Sequence, residues 1–322
     1  MEKITIKQLN KAEFEERIPQ LMDLFKNAFK RDISKEFLKW RYLDNPYHDL
    51  LVCVAMNEND EIIANYSASP CELVYNNNYY KTAISMTTMT HTDYAGRGLF
   101  TKLANTLYSH MEEKNYLNIY GFPNLNSHYG FIKKLQWEDI YEIPTMKLDL
   151  SLIHLHEENH HVTIQEDNNF KLNYTNLTNT NSKIKLNKTA NYLSWRYQAN
   201  PLHDYHNHVI SNEKDHVDAY CIVKYYGENN LDIVEFHANS QENATSLLHS
   251  ILLQAKKAGI QTVNTWVSIH SPYRSIFERN GFLNSTPVTY FGGRLFNQNE
   301  LKNGIFTNFR EWDIQMGDSD VY

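Results

Sequence analysis

A segment near the start of the chain recurs in its second half. The sequence FLKWRYLDNPYHD at residues 37–49 returns as YLSWRYQANPLHD at residues 192–204, so that Trp40 and Trp195 stand 155 positions apart. A match of this length at one offset indicates an internal repeat, and 322 residues are enough for two domains with separate cores. The sequence therefore predicts a first domain at residues 1–150, a connecting segment at 151–190 and a second domain at 191–322.

A glycine turn between a strand and a helix stands out in the first half. A Thr-rich strand ends near His91, and the turn Ala95-Gly96-Arg97-Gly98 then leads into a helix with apolar residues at every fourth position, which are Leu99, Leu103, Leu107 and Met111. A helix start presents unpaired N–H groups and the positive end of the helix dipole, and glycines leave room for an anion. Residues 95–100 therefore form a predicted phosphate cradle.

Two common phosphate motifs do not describe this turn. No Gly-Lys-Ser/Thr closes it, which excludes a P-loop, and the three-glycine spacing of the dinucleotide fingerprint is missing. The second half keeps the matching helix at 244–258 but places Asn239-Ser240-Gln241-Glu242 where the glycines would fall. Only the first half is therefore predicted to bind a phosphate-bearing ligand.

Four motifs occur here in a fixed order. They are HTDY at 91–94, GRGLF at 96–100, YGFPN at 120–124 and FIKKLQW at 131–137. Together they resemble the acetyl-CoA-binding core of the GNAT acyltransferase superfamily. The resemblance implies an α/β protein with two GNAT-like domains in tandem, each a mixed, mostly antiparallel sheet flanked by helices, and the second domain a degenerate copy.

The resemblance also implies roles for individual residues. Backbone N–H groups of the cradle would bind the pyrophosphate of acetyl-CoA, and those residues are Ala95, Gly96, Arg97, Gly98, Leu99 and Phe100. The strand edge at Met89, Thr90 and His91 would pair with the pantetheine arm like an added strand, with an N–H near Met89 or Thr90 facing the thioester oxygen. Asn126, Phe131 and Lys134 would border the arm and the adenosine end.

The sequence departs from the family pattern at two positions. The Arg or Gln that usually opens the turn is missing near Ala95, and Arg97 is the candidate replacement for its charge. The tyrosine that many relatives use as an acid for the leaving thiolate aligns with Ile132, which has no proton to donate. Tyr129 is therefore the candidate acid, with a packed aromatic as the alternative. His91 and Asp318 are the candidates for binding or deprotonating the amine, with a turn histidine and a solvated acidic tail as alternatives.

Composition narrows the possible partners. The net charge of −7 and the pI near 6.1 argue against binding to nucleic acid. The start of the chain does not resemble a signal peptide, and the longest apolar run, residues 50–56, is too short to span a bilayer. Three cysteines without a CxxC pair suit a reducing compartment. We therefore expect a cytoplasmic protein without a membrane partner, and the sequence leaves its oligomeric state open.

The connecting segment contains closely spaced histidines, namely His154, His156, His160 and His161, beside Glu157 and Glu158. Neutral imidazoles are common metal ligands, but these residues show no regular ligand spacing and have no cysteine partners. The sequence thus favours a polar connection, and no metal is expected.

The function that the sequence favours is transfer of an acetyl group from acetyl-CoA to a primary amine of a small acceptor such as an amino sugar. One alternative is an aminoacyl transferase of the peptidoglycan cross-bridge type, which would have to bind tRNA. The other is a non-catalytic CoA-binding or scaffold protein, because Ala95 and Ile132 depart from the family pattern.

Overall fold

The structure of the chain is a computed structural model that describes residues 2–155, 163–174, 177, 183–212, 215–296, 301 and 304–322. The chain divides into two compact units. Unit 1 comprises Met1–Leu73, Tyr79–Tyr141 and Tyr290–Asn308, and unit 2 comprises Val74–Asn78, Glu142–Thr289 and Phe309–Tyr322. Unit 1 thus includes Tyr290–Asn308, a segment that the predicted division assigns to the second domain. The predicted domain boundaries themselves stay a prediction.

The strands of the described residues are β1 (Thr5–Gln8), β2 (Leu51–Met56), β3 (Ile62–Tyr75), β4 (Asn78–Thr90), β5 (Asn118–Gly121), β6 (Glu138–Asp149), β7 (Ile164–Glu166), β8 (Lys185–Leu186), β9 (Tyr205–Ser211), β10 (Val217–Tyr226), β11 (Asn230–Ala238), β12 (Thr262–Thr265) and β13 (Leu283–Leu295). The α-helices are α1 (Lys11–Phe29), α2 (Lys35–Tyr42), α3 (Leu99–Glu113), α4 (Leu125–Leu135), α5 (Ala190–Leu193), α6 (Gln241–Lys257) and α7 (Arg274–Arg279). The helices predicted at 99–114 and 244–258 correspond to α3 and α6.

The sheet of unit 1 runs in the order β1-β2-β3-β4-β5, with residues 292–295 of β13 next to β5. The β1–β2, β2–β3 and β5–β13 pairs are antiparallel, whereas β4 and β5 are parallel and are connected through α3. Apolar side chains cover both faces of this sheet, since every residue of β2 is buried. The parallel pair therefore places the start of α3 directly after the end of β4.

Unit 1 has a hydrophobic core on each face of its sheet. The apolar stripe of α3, which is Leu99, Leu103, Leu107 and Met111, packs with Ile119 of β5 on one face. Residues of α1 and α2 pack against Val52 and Val54 on the other face. A capping box, in which Asn10 and Glu13 bind each other's backbone N–H groups, fixes the start of α1.

The sheet of unit 2 repeats this topology with the strands β7-β9-β10-β11-β12-β6. The β11–β12 pair is parallel and is connected through α6, and the β7–β9, β9–β10, β10–β11 and β12–β6 pairs are antiparallel. The predicted mixed, mostly antiparallel α/β fold is thereby confirmed. Among the described residues, no helix combines the length and the apolar character that crossing a membrane requires.

Candidate functional site

The predicted cradle is an open turn at the start of α3. A short 3₁₀ turn at Thr92–Tyr94 follows β4, and Gly96 and Gly98 then take φ values of 77° and 74°. Both values lie in the left-handed region, which strongly favours glycine. A Cβ atom built on either glycine would meet nothing within 4 Å. The glycines are thus required by backbone conformation, and the space above them is open to a ligand.

The first turn of α3 keeps its N–H groups unpaired. Gly98 is the N-cap residue and provides no side chain to accept from them, and the first helical hydrogen bond runs from Lys102 N to Gly98 O. The N–H groups at the start of a helix without a cap attract anions, and the helix dipole adds to this attraction. Leu99 is buried in the core of unit 1, so it can contact a ligand only through its backbone.

Arg97 already has partners in the structure. Its guanidinium donates to Glu2 Oε2 at 3.2 Å and to Asp93 O at 3.3 Å, and lies 4.5 Å from the centre of the Tyr94 ring. The pair with Glu2 is half exposed, so it contributes at most about 1 kcal/mol to stability. A phosphate could therefore displace Glu2 at small cost.

The end of β4 has an unpaired edge beside the cradle. The parallel pairs with β5 are Thr82 to Asn118, Ala83 to Ile119 and Ile84 to Tyr120, and no further pair follows although β4 continues to Thr90. The described residues after Ile84 therefore present backbone groups toward the side where β5 has ended. Such an edge suits an extended ligand that adds to the sheet.

The backbone of this edge differs from the expectation at two positions. His91 N donates to Ile63 O at 2.8 Å, so this amide is unavailable to a pantetheine arm. Thr87, rather than Met89 or Thr90, carries the irregular conformation, with φ of 53°. The side chain of Met89 is buried in the core beneath α1 and α2. The most unusual backbone on β4 therefore lies two residues before the predicted position.

A buried chain of hydroxyl groups lies where β4 and β5 separate. Tyr66 Oη lies 2.9 Å from Ser85 Oγ and 2.6 Å from Tyr108 Oη, and Trp137 Nε1 donates to Tyr108 Oη at 2.8 Å. Burial raises the pKa of both tyrosines, so the phenols stay protonated at neutral pH. The network fixes the positions of these side chains, and its members are too far apart in sequence for a motif search to connect them.

The remaining predicted cofactor residues lie on the helices α3 and α4. Phe131 is buried, and its ring lies 5.3 Å from the ring of Phe100, which passes close to Gly130. Asn126 and Lys134 are exposed on α4. Two predicted groups thus point to solvent and two form an aromatic contact between the helices.

The candidate acid Tyr129 has 67 % of its surface exposed on α4. Another titratable group on this helix was missed at the sequence level. His128 precedes Ile132 by one helical turn, its Nε2 lies 2.6 Å from Asp139 Oδ1, and its ring stacks on Tyr290 at 4.1 Å. A histidine bound to a carboxylate is a common proton-transfer pair. Only the histidine itself, on the same helix as Tyr129 and Ile132, signalled it in the sequence.

The third candidate, Asp318, is not part of a solvated tail. Its carboxylate is 2 % exposed in unit 2, lies 2.9 Å from Lys188 Nζ and accepts from Gln315 N at 2.8 Å. Lys188 also contacts Glu235 at 2.5 Å. The alternative of a solvated acidic tail therefore does not describe this residue, because a buried lysine binds its carboxylate. A catalytic role for Asp318 stays a prediction.

The stability of the fold is expected to depend on the protonation of Asp318. Burial, with the negative Glu235 nearby, raises the pKa of Asp318 to about 6. The folded state therefore binds more protons than the unfolded state between about pH 4 and pH 6, and the free energy of unfolding falls as pH rises through this range. In the wild type, we expect this fall in the free energy of unfolding to be on the order of 2 kcal/mol between pH 4.5 and pH 7. We expect Asp318→Asn to lack it.

Urea unfolding of both proteins at the two pH values measures this difference. The pKa of Glu235 lies below its ordinary value because Lys188 is close. Its contribution to the free energy of unfolding is therefore lost only as pH falls below about 4.5, outside this range. Equal pH dependence of the wild type and of Asp318→Asn would contradict the assignment.

Other candidate chemistry finds little support in the described residues. Burial raises the pKa of the Cys53 thiol to about 12 and that of Cys221 well above its usual range, so neither forms a thiolate readily. No group of three or more His, Cys, Asp or Glu side chains in the described part of the chain is arranged to bind a metal. His156, His160, His161, Glu157 and Glu158 lie outside the described residues.

The comparisons with known proteins identify the same superfamily. Residues 6–140 match the family model described as an acetyltransferase (GNAT) domain. None of the curated proteins matches the sequence. Residues 6–140 thus form a GNAT acetyltransferase domain. The predicted resemblance to GNAT proteins is confirmed.

Solved structures resemble the fold over most of the chain. A probable N-acyltransferase from Enterococcus faecalis has 13 % identity and a TM-score of 0.71, and the match covers 92 % of this chain and 73 % of the Enterococcus chain. A GCN5-related N-acetyltransferase from Kribbella flavida has 11 % identity, a TM-score of 0.66 and coverage of 91 % and 71 %. N-myristoyltransferase from Saccharomyces cerevisiae, with bound myristoyl-CoA, has 9 % identity, a TM-score of 0.60 and coverage of 92 % and 80 %. At these identities the likeness concerns the fold.

Proposed function

We propose that this protein transfers an acyl group, most specifically acetyl, from acyl-CoA to a primary amine of a small acceptor such as an amino sugar. The observation that carries the proposal is the open glycine turn at the start of α3 beside the unpaired end of β4. Phosphate and an extended pantetheine arm need these two features next to each other. The GNAT domain at residues 6–140 supports acyl transfer as the reaction class.

The backbone of unit 1 performs the binding in this proposal. N–H groups from Gly96 to Phe100 bind the pyrophosphate, and Arg97 adds charge once it leaves Glu2. The edge of β4 after Ile84 pairs with the pantetheine arm, bordered by Asn126, Phe131 and Lys134. Bound acyl-CoA supplies an activated acyl group as a thioester. None of these contacts requires a metal.

The chemistry needs a donor for the carbonyl oxygen and groups that move two protons. Backbone N–H groups near Thr87 suit the first task, because they are fixed before the ligand arrives and cost no reorganisation. His91 is proposed to receive the amine proton, and either Tyr129 or the His128–Asp139 pair to protonate the leaving thiolate. His128 has the better support, because Asp139 and Tyr290 fix its ring whereas Tyr129 projects into solvent.

The second half has a supporting role in the proposal. Its strand order repeats that of unit 1, but Ser240 caps the start of α6 by accepting from Asn243 N, where α3 begins after an open glycine. We therefore propose a degenerate GNAT copy that binds no acyl-CoA of its own. With three free cysteines, the protein is proposed to act in the cytoplasm.

Calorimetry with acetyl-CoA, myristoyl-CoA, CoA and tRNA tests the proposal. We expect one equivalent of acetyl-CoA to bind per chain with a Kd in the micromolar range, and thiol release to follow when a panel of amino sugars and other amines is added. The thiol release is measured with a chromogenic disulfide. No binding of any acyl-CoA would overturn the proposal.

The remaining results separate the alternatives. Tight binding of tRNA without binding of acyl-CoA would support an aminoacyl transferase, and the net charge of −7 argues against it. Binding of acetyl-CoA without thiol release across the panel would support a CoA-binding scaffold, which Ile132 motivates. Tighter binding of myristoyl-CoA than of acetyl-CoA would replace acetyl by a long acyl chain.

A further inference from the structure

The left-handed conformation of Thr87 requires an explanation from its surroundings. A β-branched residue with φ of 53° is unfavourable by about 1 to 3 kcal/mol and persists only where other contacts fix it. Thr87 lies on the stretch of β4 that has no partner from β5. A regular strand would have avoided this conformation, so the neighbouring strand has to hold it.

Two side chains of β3 bind successive carbonyl groups of β4. Asn65 Nδ2 donates to Thr87 O at 2.7 Å, and Ser67 Oγ donates to Met86 O at 3.1 Å. Asn65 and Ser67 are 3 % and 1 % exposed and lie two residues apart, so both project from the same face of β3. In a regular strand, successive carbonyl groups point in opposite directions. Here both are directed toward the same pair of side chains.

The direction of these carbonyl groups also fixes the direction of two N–H groups. In a trans peptide the C=O and N–H bonds point in opposite directions. Because Met86 O and Thr87 O point toward Ser67 and Asn65, the N–H groups of Thr87 and Thr88 point away from β3, toward the side where β5 has ended. Two neighbouring donors directed to one region are suited to a carbonyl oxygen that gains negative charge.

The hydrogen bonds of Ser67 extend this arrangement to α2. The only proton of Ser67 Oγ goes to Met86 O, so Tyr42 Oη at 2.7 Å and Asn65 Nδ2 at 3.1 Å must both donate to Ser67. Tyr42 is 3 % exposed at the end of α2. Each member of this buried network therefore has a defined donor or acceptor role, and removal of one leaves an unpaired buried group.

We propose that Asn65 and Ser67 are positioning residues that hold Thr87 in its left-handed conformation and so direct the N–H groups of Thr87 and Thr88 toward the acyl carbonyl. This inference rests on the proposed function for its ligand, an acyl thioester. The conformation of β4 is independent of the proposed function, because it exists in the protein without a ligand. Tyr42 supports the same arrangement through Ser67.

The strand offers a matched control two residues further along. Ser69 projects from the same face, is 1 % exposed, and accepts from Asn45 Nδ2 at 3.1 Å. Its partner Asn45, which lies between α2 and β2, also donates to Pro70 O of β3 at 3.1 Å, so neither of these contacts reaches β4. Ser67→Ala and Ser69→Ala thus remove the same hydroxyl from equally buried sites, but only the first removes a bond to β4.

Hydrogen exchange of the protein without ligand tests the positioning role directly. We expect Ser67→Ala and Asn65→Ala to accelerate amide exchange at residues 85–90 at least about tenfold, because the segment opens at lower cost. Ser69→Ala should leave this segment unchanged even if it lowers the melting temperature as much as Ser67→Ala does. Equal exchange at residues 85–90 in the two serine variants would overturn the proposal.

The carbonyl stretching band of bound ¹³C-labelled acetyl-CoA tests the direction of the N–H groups. Hydrogen bonding lowers this frequency, so we expect a lower frequency in the wild type and in Ser69→Ala, and a return toward the free value in Asn65→Ala. The Kd for acetyl-CoA should change less than about threefold, whereas kcat for an accepted amine should fall about 100-fold at constant KM. An unchanged band in Asn65→Ala would contradict the role.

The two measurements also separate the inference from the proposed function. If the wild type binds no acyl-CoA, the proposed function fails, and hydrogen exchange still decides whether Asn65 and Ser67 hold β4. If acyl-CoA binds but both serine variants behave alike in exchange and in the carbonyl band, the inference fails while the proposed function stands.

Discussion

Replacement of Gly98 by glutamate is expected to abolish the binding of acetyl-CoA. Gly98 is the N-cap of α3 and borders the N–H groups proposed to bind the pyrophosphate. A carboxylate at this position would repel the phosphates and would itself occupy the helix start, at a cost of several kcal/mol. We expect the Kd to rise at least about 100-fold, which corresponds to about 2.7 kcal/mol, as measured by titration calorimetry.

Gly259→Glu serves as the matched control for this substitution. Gly259 has a φ of 81° and, like Gly98, open space around the position of a Cβ atom. Both variants thus introduce the same charge and the same backbone strain of about 1 kcal/mol, but Gly259 lies in unit 2 after α6. Only Gly98→Glu should lose binding. A Kd within threefold of the wild type for Gly98→Glu would show that the ligand binds elsewhere.

Replacement of Gly317 by alanine is expected to destabilise the protein by about 3 kcal/mol. A Cβ atom at this position would overlap the Tyr197 hydroxyl and would lie 2.5 Å from Glu235 Oε1. Tyr197 donates to Glu235 at 2.5 Å, and Glu235 pairs with the buried Lys188, so neither neighbour can move without breaking a buried polar contact. Urea unfolding at pH 7 measures the difference in free energy.

Val321→Ala provides the comparison for Gly317→Ala. Val321 lies in the same final segment, but 62 % of its surface is exposed, so its truncation should change the free energy of unfolding by less than about 0.5 kcal/mol. A similarly small change in Gly317→Ala would mean that the segment 316–318 is loosely packed, which would contradict the close contacts of Gly317.

The elements that follow from local sequence patterns could be predicted. The stripe of Leu99, Leu103, Leu107 and Met111 identified α3 because its spacing depends only on helix geometry. Gly96 and Gly98 identified the turn because few other residues take positive φ at low cost. These features are properties of neighbouring residues, and a sequence displays them directly.

The features that depend on distant residues could not be predicted. Thr87 has no intrinsic preference for the left-handed region, and its conformation depends on Asn65, which lies 22 positions earlier. The environment of Asp318 likewise depends on Lys188, and an acidic residue near the end of a sequence is usually solvated. A residue pattern does not show which side chains the fold brings together, so the sequence carried no signal for the left-handed conformation of Thr87.

Unit 1 consists of segments that are far apart in the sequence, and this affects how it folds while the chain is synthesised. The strand β5 pairs with residues 292–295 of β13, which leave the ribosome only after residues 142–289 of unit 2. Until then, nascent unit 1 exposes an unpaired strand edge, the kind of surface at which chains associate wrongly. A fragment ending at residue 150 would keep this edge permanently. The half of the chain that carries the cradle therefore depends on the late synthesis of the other half to become complete.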